Sequence, residues 1–220
     1  PGSALAAAAE LHLDVRAGAE LAVAATTSYT AELLALWLLV DAVRGGDATA
    51  ARAVPEAVAH ACGMREEVTS FSHRYRFADR LVLTGRGYSF PTALEGALKV
   101  METSYLAAHA FSGADLMHGP LAMIDADHPV IAVVPDGVGG RAMLPVLSRL
   151  RERAADVAVV GGAAARAPGA VGLLVDHRLP EELAPVVDIV VLQQLAMVMS
   201  IARGLDPDRP RGLAKVTETW

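Results

Sequence analysis

Cysteine and aromatic residues are scarce in this chain. Cys62 is the only cysteine among 220 residues, and aromatic residues make up 5% of the sequence. A single thiol excludes a disulfide framework and a cysteine-rich metal site, and it suits a reducing compartment, so we expect a cytoplasmic protein. With few aromatic rings, the core must be built from Ala, Val and Leu, which favours helices packed on a parallel sheet over a β-sandwich.

Positive charge is scarce as well. The chain carries 19 basic residues against 25 acidic ones, a formal net charge of −6. General nucleic-acid binding requires a positive surface that displaces counterions, so we expect no nucleic-acid partner. The acidic balance leaves room for a small anionic ligand in one local pocket.

No unbroken apolar run is long enough to span a membrane. The longest unbroken run, residues 33–40, falls far short of the roughly 20 residues that a bilayer requires. Two glutamines interrupt the apolar run of residues 189–201, so we expect buried helices and no membrane association. The start at Pro1 has no signal-peptide pattern and no initiator methionine, which indicates a fragment or a trimmed product.

Strand and helix patterns alternate along most of the chain. Short apolar runs are typical of strands buried on both faces, and they lie at residues 81–83, 129–134, 156–160 and 172–175, with a further short strand predicted at 11–15. Helical patterns lie at 48–62, 64–79, 91–105, 143–153 and 184–203, and an earlier helix ends at Arg44. Alternating strands and helices predict an α/β, doubly wound parallel sheet.

One predicted helix carries three charged residues on a single face. At about 100° per residue, Glu95, Lys99 and Glu102 lie within roughly 60° of one another. A lysine between two carboxylates can pair with one and leave the other to titrate, an arrangement suited to a general base. The alternative is an exposed Glu–Lys pair that stabilises the helix by only about 0.2–0.5 kcal/mol.

His118 and Lys215 are two further candidates for acid–base chemistry. His118 precedes Gly-Pro and should lie on a loop or at a helix end, and an imidazole titrates near neutral pH. Lys215 lies in the polar tail. The alternatives are a surface or capping histidine and a solvated terminal lysine.

Two loops are candidates for binding phosphate. Residues 85–89, with Arg86, follow a strand and open a helix, and residues 24–28 precede a helix and contain hydroxyl groups. Neither loop has the spacing of a dinucleotide-binding motif or a P-loop, and each is alternatively an ordinary turn with a helix cap. No pair of histidines has the spacing of metal ligands, so we predict no metal.

Taken in order, these motifs resemble the sugar isomerase (SIS) domain family. The resemblance rests on Gly85-Arg86-Gly87, the segment 93–102, His118-Gly119-Pro120-Leu121-Ala122 and the tail segment 210–215. Within the family, the chain is similar to the isomerase half of glucosamine-6-phosphate synthase and to SIS-type glucosamine-6-phosphate deaminases. Residues 20–27 resemble the family's E-x-x-V-A-S-T-K segment, which closes over the sugar phosphate, although Ala25 replaces its Ser and Thr27 its Lys.

The resemblance implies a domain organisation. The family has two SIS domains in tandem, each a five-stranded parallel sheet between helices. Residues 1–62 would then be the end of a first SIS domain with connecting helices, residues 63–205 a complete second domain, and residues 206–220 a tail that closes over the active site. The serine- and threonine-rich loops that hold the phosphate are expected before Pro1.

The resemblance also implies roles for individual residues. Glu102 would move a proton between C1 and C2 of the sugar, with Glu95 and Lys99 positioning it. His118 would open the sugar ring from a neighbouring subunit, and Lys215 would contact the sugar carbonyl or form an imine with it. Substrate contacts are implied for Val23, Ala25, Thr26, Arg86 and Ala214.

We therefore expect an amino-sugar phosphate isomerase/deaminase that converts glucosamine 6-phosphate to fructose 6-phosphate and ammonia without a cofactor. Two alternatives stay open. The chain is the isomerase part of a glutamine–fructose-6-phosphate aminotransferase, or it is a non-catalytic SIS module that senses a sugar phosphate. The resemblance implies a homodimer with a shared active site and a sugar phosphate as the bound ligand.

Overall fold

The computed structural model describes residues 3–215, whose centre is a five-stranded parallel sheet. Its strands are β1 (Arg80–Gly85), β2 (Ala107–Ser112), β3 (Val130–Val134), β4 (Val157–Gly161) and β5 (Val171–Leu174). Their spatial order is β2-β1-β3-β4-β5, and all neighbours are parallel. Because β2 and β3 lie on opposite sides of β1, the strand order reverses there, and ligands of such sheets bind at the carboxyl ends of the strands beside this reversal.

Helices flank the sheet, and four of the described helices precede its first strand along the chain. They are α1 (Ala4–Ala8), α2 (Thr27–Val43), α3 (Val54–Gly63), α4 (Arg65–Ser72), α5 (Ser89–Ser104), α6 (Gly113–Met117), α7 (Val138–Glu152) and α8 (Ala184–Ala202). The helices predicted at 48–62 and 64–79 are shorter than expected, since 3₁₀ turns occupy Thr49–Ala53 and His73–Tyr75.

Apolar side chains build a core on each face of the sheet. Leu81 and Leu83 of β1 join the cluster formed with α5 and α8, whereas Val82 joins the cluster formed with α7. Successive side chains of a strand point to opposite faces, so a strand covered on both sides is apolar throughout, and β3 is buried at every position. The predicted doubly wound α/β fold is therefore confirmed.

Helix α8 is long and apolar enough by composition to cross a membrane, yet it is a core helix of this fold. It packs against α5, α3 and α4, and 78% of its most apolar window is buried. The glutamines that interrupt its apolar run bind backbone carbonyl groups of other elements. Gln193 Nε2 donates to Thr26 O at 3.3 Å, and Gln194 Nε2 donates to Ala61 O at 2.7 Å.

The strand prediction is wrong in two places. The sequence pattern does not show β2, because this edge strand is rich in alanine, only Ala108 in it is buried, and the chain enters it directly from α5 through Tyr105 in the left-handed region (φ 57°). Residues 11–15, predicted as a strand, pair with no strand of the described sheet. Leu11 and Leu13 are exposed, so the alternation of this segment does not place its leucines in the core.

Helix α7 begins at Val138, five residues before its predicted start at 143. Gly139 and Gly140 disfavour a helix, which is why the sequence pattern starts the helix after them. The Glu181 carboxylate stabilises this first turn, because it accepts hydrogen bonds from the amides of Val138 (2.7 Å), Gly139 (2.6 Å) and Gly140 (3.2 Å). A carboxylate satisfies the unpaired amides of a helix N-terminus and interacts favourably with its dipole.

Candidate active site

Helix α5 carries the three charged residues and starts just beyond the carboxyl end of β1. Gly96 allows a close approach of this helix to its neighbours, since a Cβ there would lie 2.7 Å from Leu192 Cδ1 of α8 and 2.9 Å from Leu83 Cδ2 of β1. The close packing buries the α5 face that carries Lys99, which is 4% exposed. A buried ammonium group requires charged or hydrogen-bonding partners.

The partners of Lys99 are the two glutamates on the same face. Lys99 Nζ lies 2.7 Å from Glu102 Oε2 and 3.3 Å from Glu95 Oε1. The side chain of Glu95 is 11% exposed and that of Glu102 is 23% exposed. The spacing along the helix therefore brings the three groups together, and because the lysine is buried, an ordinary surface ion pair does not describe them.

This triad holds two carboxylates for one ammonium. Burial raises the pKa of Glu95, the charge of Lys99 opposes that rise, and the charge of Glu102 adds to it. When two carboxylates share a site, one of them takes up a proton more readily than a free carboxylate does. The buried Glu95 meets this condition, which leaves the more exposed Glu102 as the carboxylate suited to accept a proton from a bound molecule.

Residues 20–26, which we call the strap, lie over this part of α5. The Glu20 carboxylate accepts hydrogen bonds from Thr26 N (2.6 Å), Thr27 N (2.7 Å) and Ser28 Oγ (2.7 Å), and so it caps α2. Burial alone would raise the pKa of Glu20, but the hydrogen bonds from Ser28, Thr26 and Thr27 lower it to about 2. An ionised carboxylate thus joins the first residue of the strap to the last residue of the strap and the start of α2.

The C-terminal tail also contacts the strap through hydrogen bonds. Lys215 Nζ donates to Ala22 O at 2.5 Å and lies 4.0 Å from Glu20 Oε2. Val23 N donates to Asp208 O at 3.1 Å. Two of the predicted site residues, Lys215 and Val23, therefore make the contacts between tail and strap.

A cavity of about 230 Å³ lies between the strap, α5, α8 and the tail. Thr26 and Lys99, both predicted site residues, line it together with Gln193 and Asp208. Ala22, whose carbonyl binds Lys215, also lines it. The fold thus brings one end of the triad, the strap and the tail to the same cavity.

Lys99 and Lys215 are the only lysines among the 220 residues. Lys99 lies 3.3 Å or less from Glu95 and Glu102 and lines the same cavity as Ala22. Lys215 Nζ lies 2.5 Å from Ala22 O. Lysine, unlike arginine, can lose its proton and form an imine with a carbonyl group. The restriction of lysine to these two positions is a sequence signal that motif spacing does not use.

Two further residues of this region are not singled out by sequence reasoning. Glu20 belongs to the strap motif, but its capping role depends on the fold. Tyr29 of α2 reaches α5, because its hydroxyl donates to Pro91 O at 3.5 Å, and burial and the charge of Glu95 raise its pKa to about 12. An isolated tyrosine in an apolar helix gives no signal in the sequence.

Of the ten predicted site residues, only Lys99 and Thr26 line the cavity. Glu95 and Glu102 contact Lys99, and Lys215 and Val23 join the tail to the strap, but none of these four lines the cavity itself.

The other four predicted site residues make none of these contacts. His118 is exposed at the end of α6, and Arg86 is exposed in the turn between β1 and α5. Ala25 is half-buried in the strap, and Ala214 is exposed beside Lys215. Their roles stay predictions.

Of the two loops considered for phosphate, residues 24–28 form a turn capped by Glu20, and residues 85–89 form a turn closed by backbone hydrogen bonds. The amides of Thr26 and Thr27 bind Glu20. In the other loop, Ser89 N donates to Arg86 O, and Phe90 N donates to Gly87 O, both at 3.2 Å. Among the residues that the structure describes, no group of three or more histidine, cysteine or acidic side chains is arranged to hold a metal ion.

Residues 75–165, which include β1 to β4, match the SIS domain family. The five-stranded parallel sheet flanked by helices is the SIS-type fold. The chain therefore belongs to the SIS domain family.

Curated relatives extend this similarity over almost the whole chain. The chain is 33% identical over 227 residues to glutamine–fructose-6-phosphate aminotransferase (isomerizing) of Acidithiobacillus ferridurans, and 35% identical over 220 residues to that of Methanothermobacter thermautotrophicus. Each alignment covers 97% of this chain and 37% of the relative. The chain thus spans little more than a third of the length of these relatives.

Solved structures show the same relationship. The C-terminal domain of glucosamine-fructose-6-phosphate aminotransferase from Francisella tularensis matches with a TM-score of 0.87 and 28% identity, over 95% of this chain and 62% of that chain. Glucosamine-6-phosphate deaminase from Thermotoga maritima matches with a TM-score of 0.62 and 25% identity, over 90% of this chain and 58% of that chain. The aminotransferase is the better structural match of these two.

Proposed function

We propose that this chain is the isomerase part of a glutamine–fructose-6-phosphate aminotransferase. The observation that carries the proposal is the buried Lys99 held between Glu95 and Glu102 at the wall of the cavity. The two aminotransferase relatives align with 97% of the chain, which supports this function over the deaminase function expected first from the sequence.

The proposed reaction moves one proton along the sugar. Ammonia and the C2 carbonyl of fructose 6-phosphate form an imine with loss of water. The imine nitrogen first takes up a proton from solvent, and Glu102 then removes a proton from C1 to give a neutral enolamine. Glu102 returns its proton to C2, while the C1 hydroxyl releases its proton to solvent and becomes the aldehyde. General acid–base catalysis of this kind requires a positioned carboxylate and no cofactor, and the contact with Lys99 holds Glu102 in place.

The other site residues have supporting roles in this proposal. Lys215 contacts the sugar carbonyl or forms an imine with it, and His118 opens the sugar ring. Val23, Ala25, Thr26, Arg86 and Ala214 bind the substrate. The cavity walls formed by Thr26 and Lys99 support this assignment, and the exposure of His118 suits a residue that acts on a neighbouring subunit.

The assembly and the domain organisation are part of the proposal. SIS domains bind sugar phosphates, and we propose a homodimer with a shared active site. In it, residues 1–62 belong to a first SIS domain, residues 63–205 form the second, and residues 206–220 close the site. The exposed face of α2 is evidence for the proposed dimer. Leu36, Leu39 and Val43 of this helix are more than half exposed, and exposed apolar patches mark interfaces.

The deaminase is the second candidate. It would use the same groups in the opposite direction and release ammonia from glucosamine 6-phosphate. The structural similarity to the Thermotoga maritima deaminase favours it. A non-catalytic sensor is less well supported, since binding alone does not require a lysine buried between two carboxylates.

An assay of the full-length protein separates these functions. The proposal expects glucosamine 6-phosphate from fructose 6-phosphate and glutamine. A deaminase releases ammonia from glucosamine 6-phosphate and does not use glutamine. A protein that binds either sugar phosphate but converts neither is a sensor, and this result would overturn the enzymatic proposal.

A further inference from the structure

Glu20 has contacts that helix capping alone does not require. Its Oε1 atom accepts hydrogen bonds from the amides of Thr26 and Thr27, and its Oε2 atom accepts a hydrogen bond from the hydroxyl of Ser28. The same Oε2 atom lies 4.0 Å from Lys215 Nζ. One carboxylate therefore contacts the start of α2 and faces the tail lysine.

We propose that Glu20 is a positioning residue that fixes the strap and thereby sets the position of the Lys215 amine beside Ala22, which lines the cavity. This inference rests on the proposed function, in which Lys215 meets the sugar carbonyl. Glu20 itself does not line the cavity, so it acts through the strap and through Lys215.

The strap links Glu20 to Lys215 through Ala22. Ala22 is two residues beyond Glu20, and its carbonyl accepts the hydrogen bond of Lys215 Nζ at 2.5 Å. The hydrogen bonds from Thr26 and Thr27 to Glu20 close the strap into a loop, so the direction of the Ala22 carbonyl depends on the carboxylate. Loss of the carboxylate would free the loop at the point where it holds the amine.

The charges support the same conclusion. The side chain of Glu20 is 10% exposed and that of Lys215 is 44% exposed, so a largely buried carboxylate lies beside a more exposed ammonium group. At 4.0 Å the attraction is weak in a solvated site, but it acts together with the hydrogen bond to Ala22. An amine with a hydrogen bond and an opposite charge nearby has fewer accessible positions than an amine with the hydrogen bond alone.

Glu181 is a matched control within the same chain. It caps α7 as Glu20 caps α2, through the amides of Val138, Gly139 and Gly140. The two lysines of the chain lie beside other partners, Lys99 beside Glu95 and Glu102 and Lys215 beside the strap. A variant at Glu181 therefore removes a helix cap of the same kind without touching the proposed device.

The experiment compares Glu20→Ala, Glu20→Gln and Glu181→Ala in the full-length protein. Acetic anhydride labels free amines, and peptide mass spectrometry reports the labelling rate of Lys215 whether or not the protein is an enzyme. We expect Glu20→Ala to raise this rate by about two- to fivefold, the factor typical of a lost surface contact. We expect it to lower kcat for glucosamine 6-phosphate formation by about 10- to 100-fold, as for a misplaced catalytic group, with a smaller change in KM.

The other variants show whether capping explains the result. Glu181→Ala should lower the unfolding midpoint as Glu20→Ala does, but leave the labelling of Lys215 and kcat unchanged. Glu20→Gln keeps an acceptor oxygen and loses the charge, so it should fall between the wild type and Glu20→Ala. Unchanged labelling in Glu20→Ala, or an equal rise in Glu181→Ala, would overturn the inference. A wild-type protein without sugar conversion would overturn the proposed function, while the labelling rates would still decide the role of Glu20.

Discussion

Lys99 Nζ lies 2.7 Å from Glu102 Oε2, and the lysine is buried while the glutamate keeps 23% of its side chain exposed. The contact fixes the carboxylate from its buried side and leaves part of it accessible to a bound molecule. Lys99 keeps Glu95 as a charged partner when Glu102 is changed, so the proposed role of Glu102 as the base is testable by substitution.

We predict that Glu102→Gln abolishes sugar conversion and leaves the fold intact. Loss of a general base lowers the rate by about 10²- to 10⁴-fold, whereas the amide is close in size to the carboxylate it replaces. The measurement is the rate of glucosamine 6-phosphate formation by the full-length variant, with circular dichroism as the check on folding. Glu95→Gln is the control and should lose less activity. A Glu102→Gln enzyme that keeps more than about a tenth of its rate is incompatible with a base at this position.

We predict that Lys99→Met destabilises the protein in a pH-dependent manner. Removal of the ammonium leaves the carboxylates of Glu95 and Glu102 beside each other without compensation, and the loss of one partner of a buried ion pair costs about 3–5 kcal/mol. Burial already raises the pKa of Glu95 in the folded state, and the substitution raises it further. A carboxyl group whose pKa is higher in the folded state loses stability as the pH rises, so the deficit should grow between about pH 5 and pH 8.

Urea unfolding of this variant at several pH values is the measurement. The double variant Lys99→Met/Glu95→Gln is the control, because it removes the buried carboxyl group that should carry the pH dependence. A deficit of the same size at every pH would attribute the loss to packing and contradict the charge-based explanation.

We predict that Glu20 stabilises the protein at neutral pH and loses this effect in acid. Hydrogen bonds from Ser28, Thr26 and Thr27 lower its pKa to about 2, against 4.5 for an unperturbed glutamate. A carboxyl group with a lowered pKa in the folded state stabilises above its unfolded pKa, and the effect disappears as the pH falls toward the folded value. The unfolding free energy of the wild type should therefore fall more steeply below about pH 5 than that of Glu20→Gln. Parallel curves for the two proteins between pH 6 and the onset of acid unfolding would contradict this prediction.

We predict that inactive Glu102→Gln and His118→Ala proteins recover activity when mixed. In the proposed dimer, His118 acts on the site of the neighbouring subunit, so a mixed dimer contains one site in which both Glu102 and His118 are intact. Random exchange produces such dimers, and the activity should rise with the exchange time. Absence of recovery despite exchange, demonstrated with differently tagged subunits, would argue against a shared site.

We predict that the 220-residue chain binds glucosamine 6-phosphate only weakly. The amides of Thr26 and Thr27 already bind Glu20, and the family resemblance places the phosphate loops before Pro1. A phosphate dianion relies on charge-assisted hydrogen bonds of about 1.5–3 kcal/mol each, and the loss of three weakens binding by about 10³-fold or more. Titration calorimetry should give a Kd of about 1 mM or higher. A micromolar Kd would mean that the phosphate site lies within this chain, most simply at residues 26–28 or 85–89.

Local patterns in the sequence are sufficient for much of the fold. The apolar runs predict β1, β3, β4 and β5 because strands covered on both faces must be apolar at every position. The helical period places Glu95, Lys99 and Glu102 on one face because that geometry depends only on the backbone of α5. Features that depend on distant residues are missed, such as the edge strand β2 and the start of α7.

The sequence by itself determined the fold class, the shared face of the triad and the scarcity of lysine that marks Lys99 and Lys215. Only the tertiary structure decided that Lys99 is buried and that Lys215 meets Ala22, which is 193 positions away along the chain. The physical reason is the range of the interactions. Helical periodicity is a property of neighbouring residues, whereas burial and the contact between tail and strap arise only when α5, α8, the strap and the tail pack against each other.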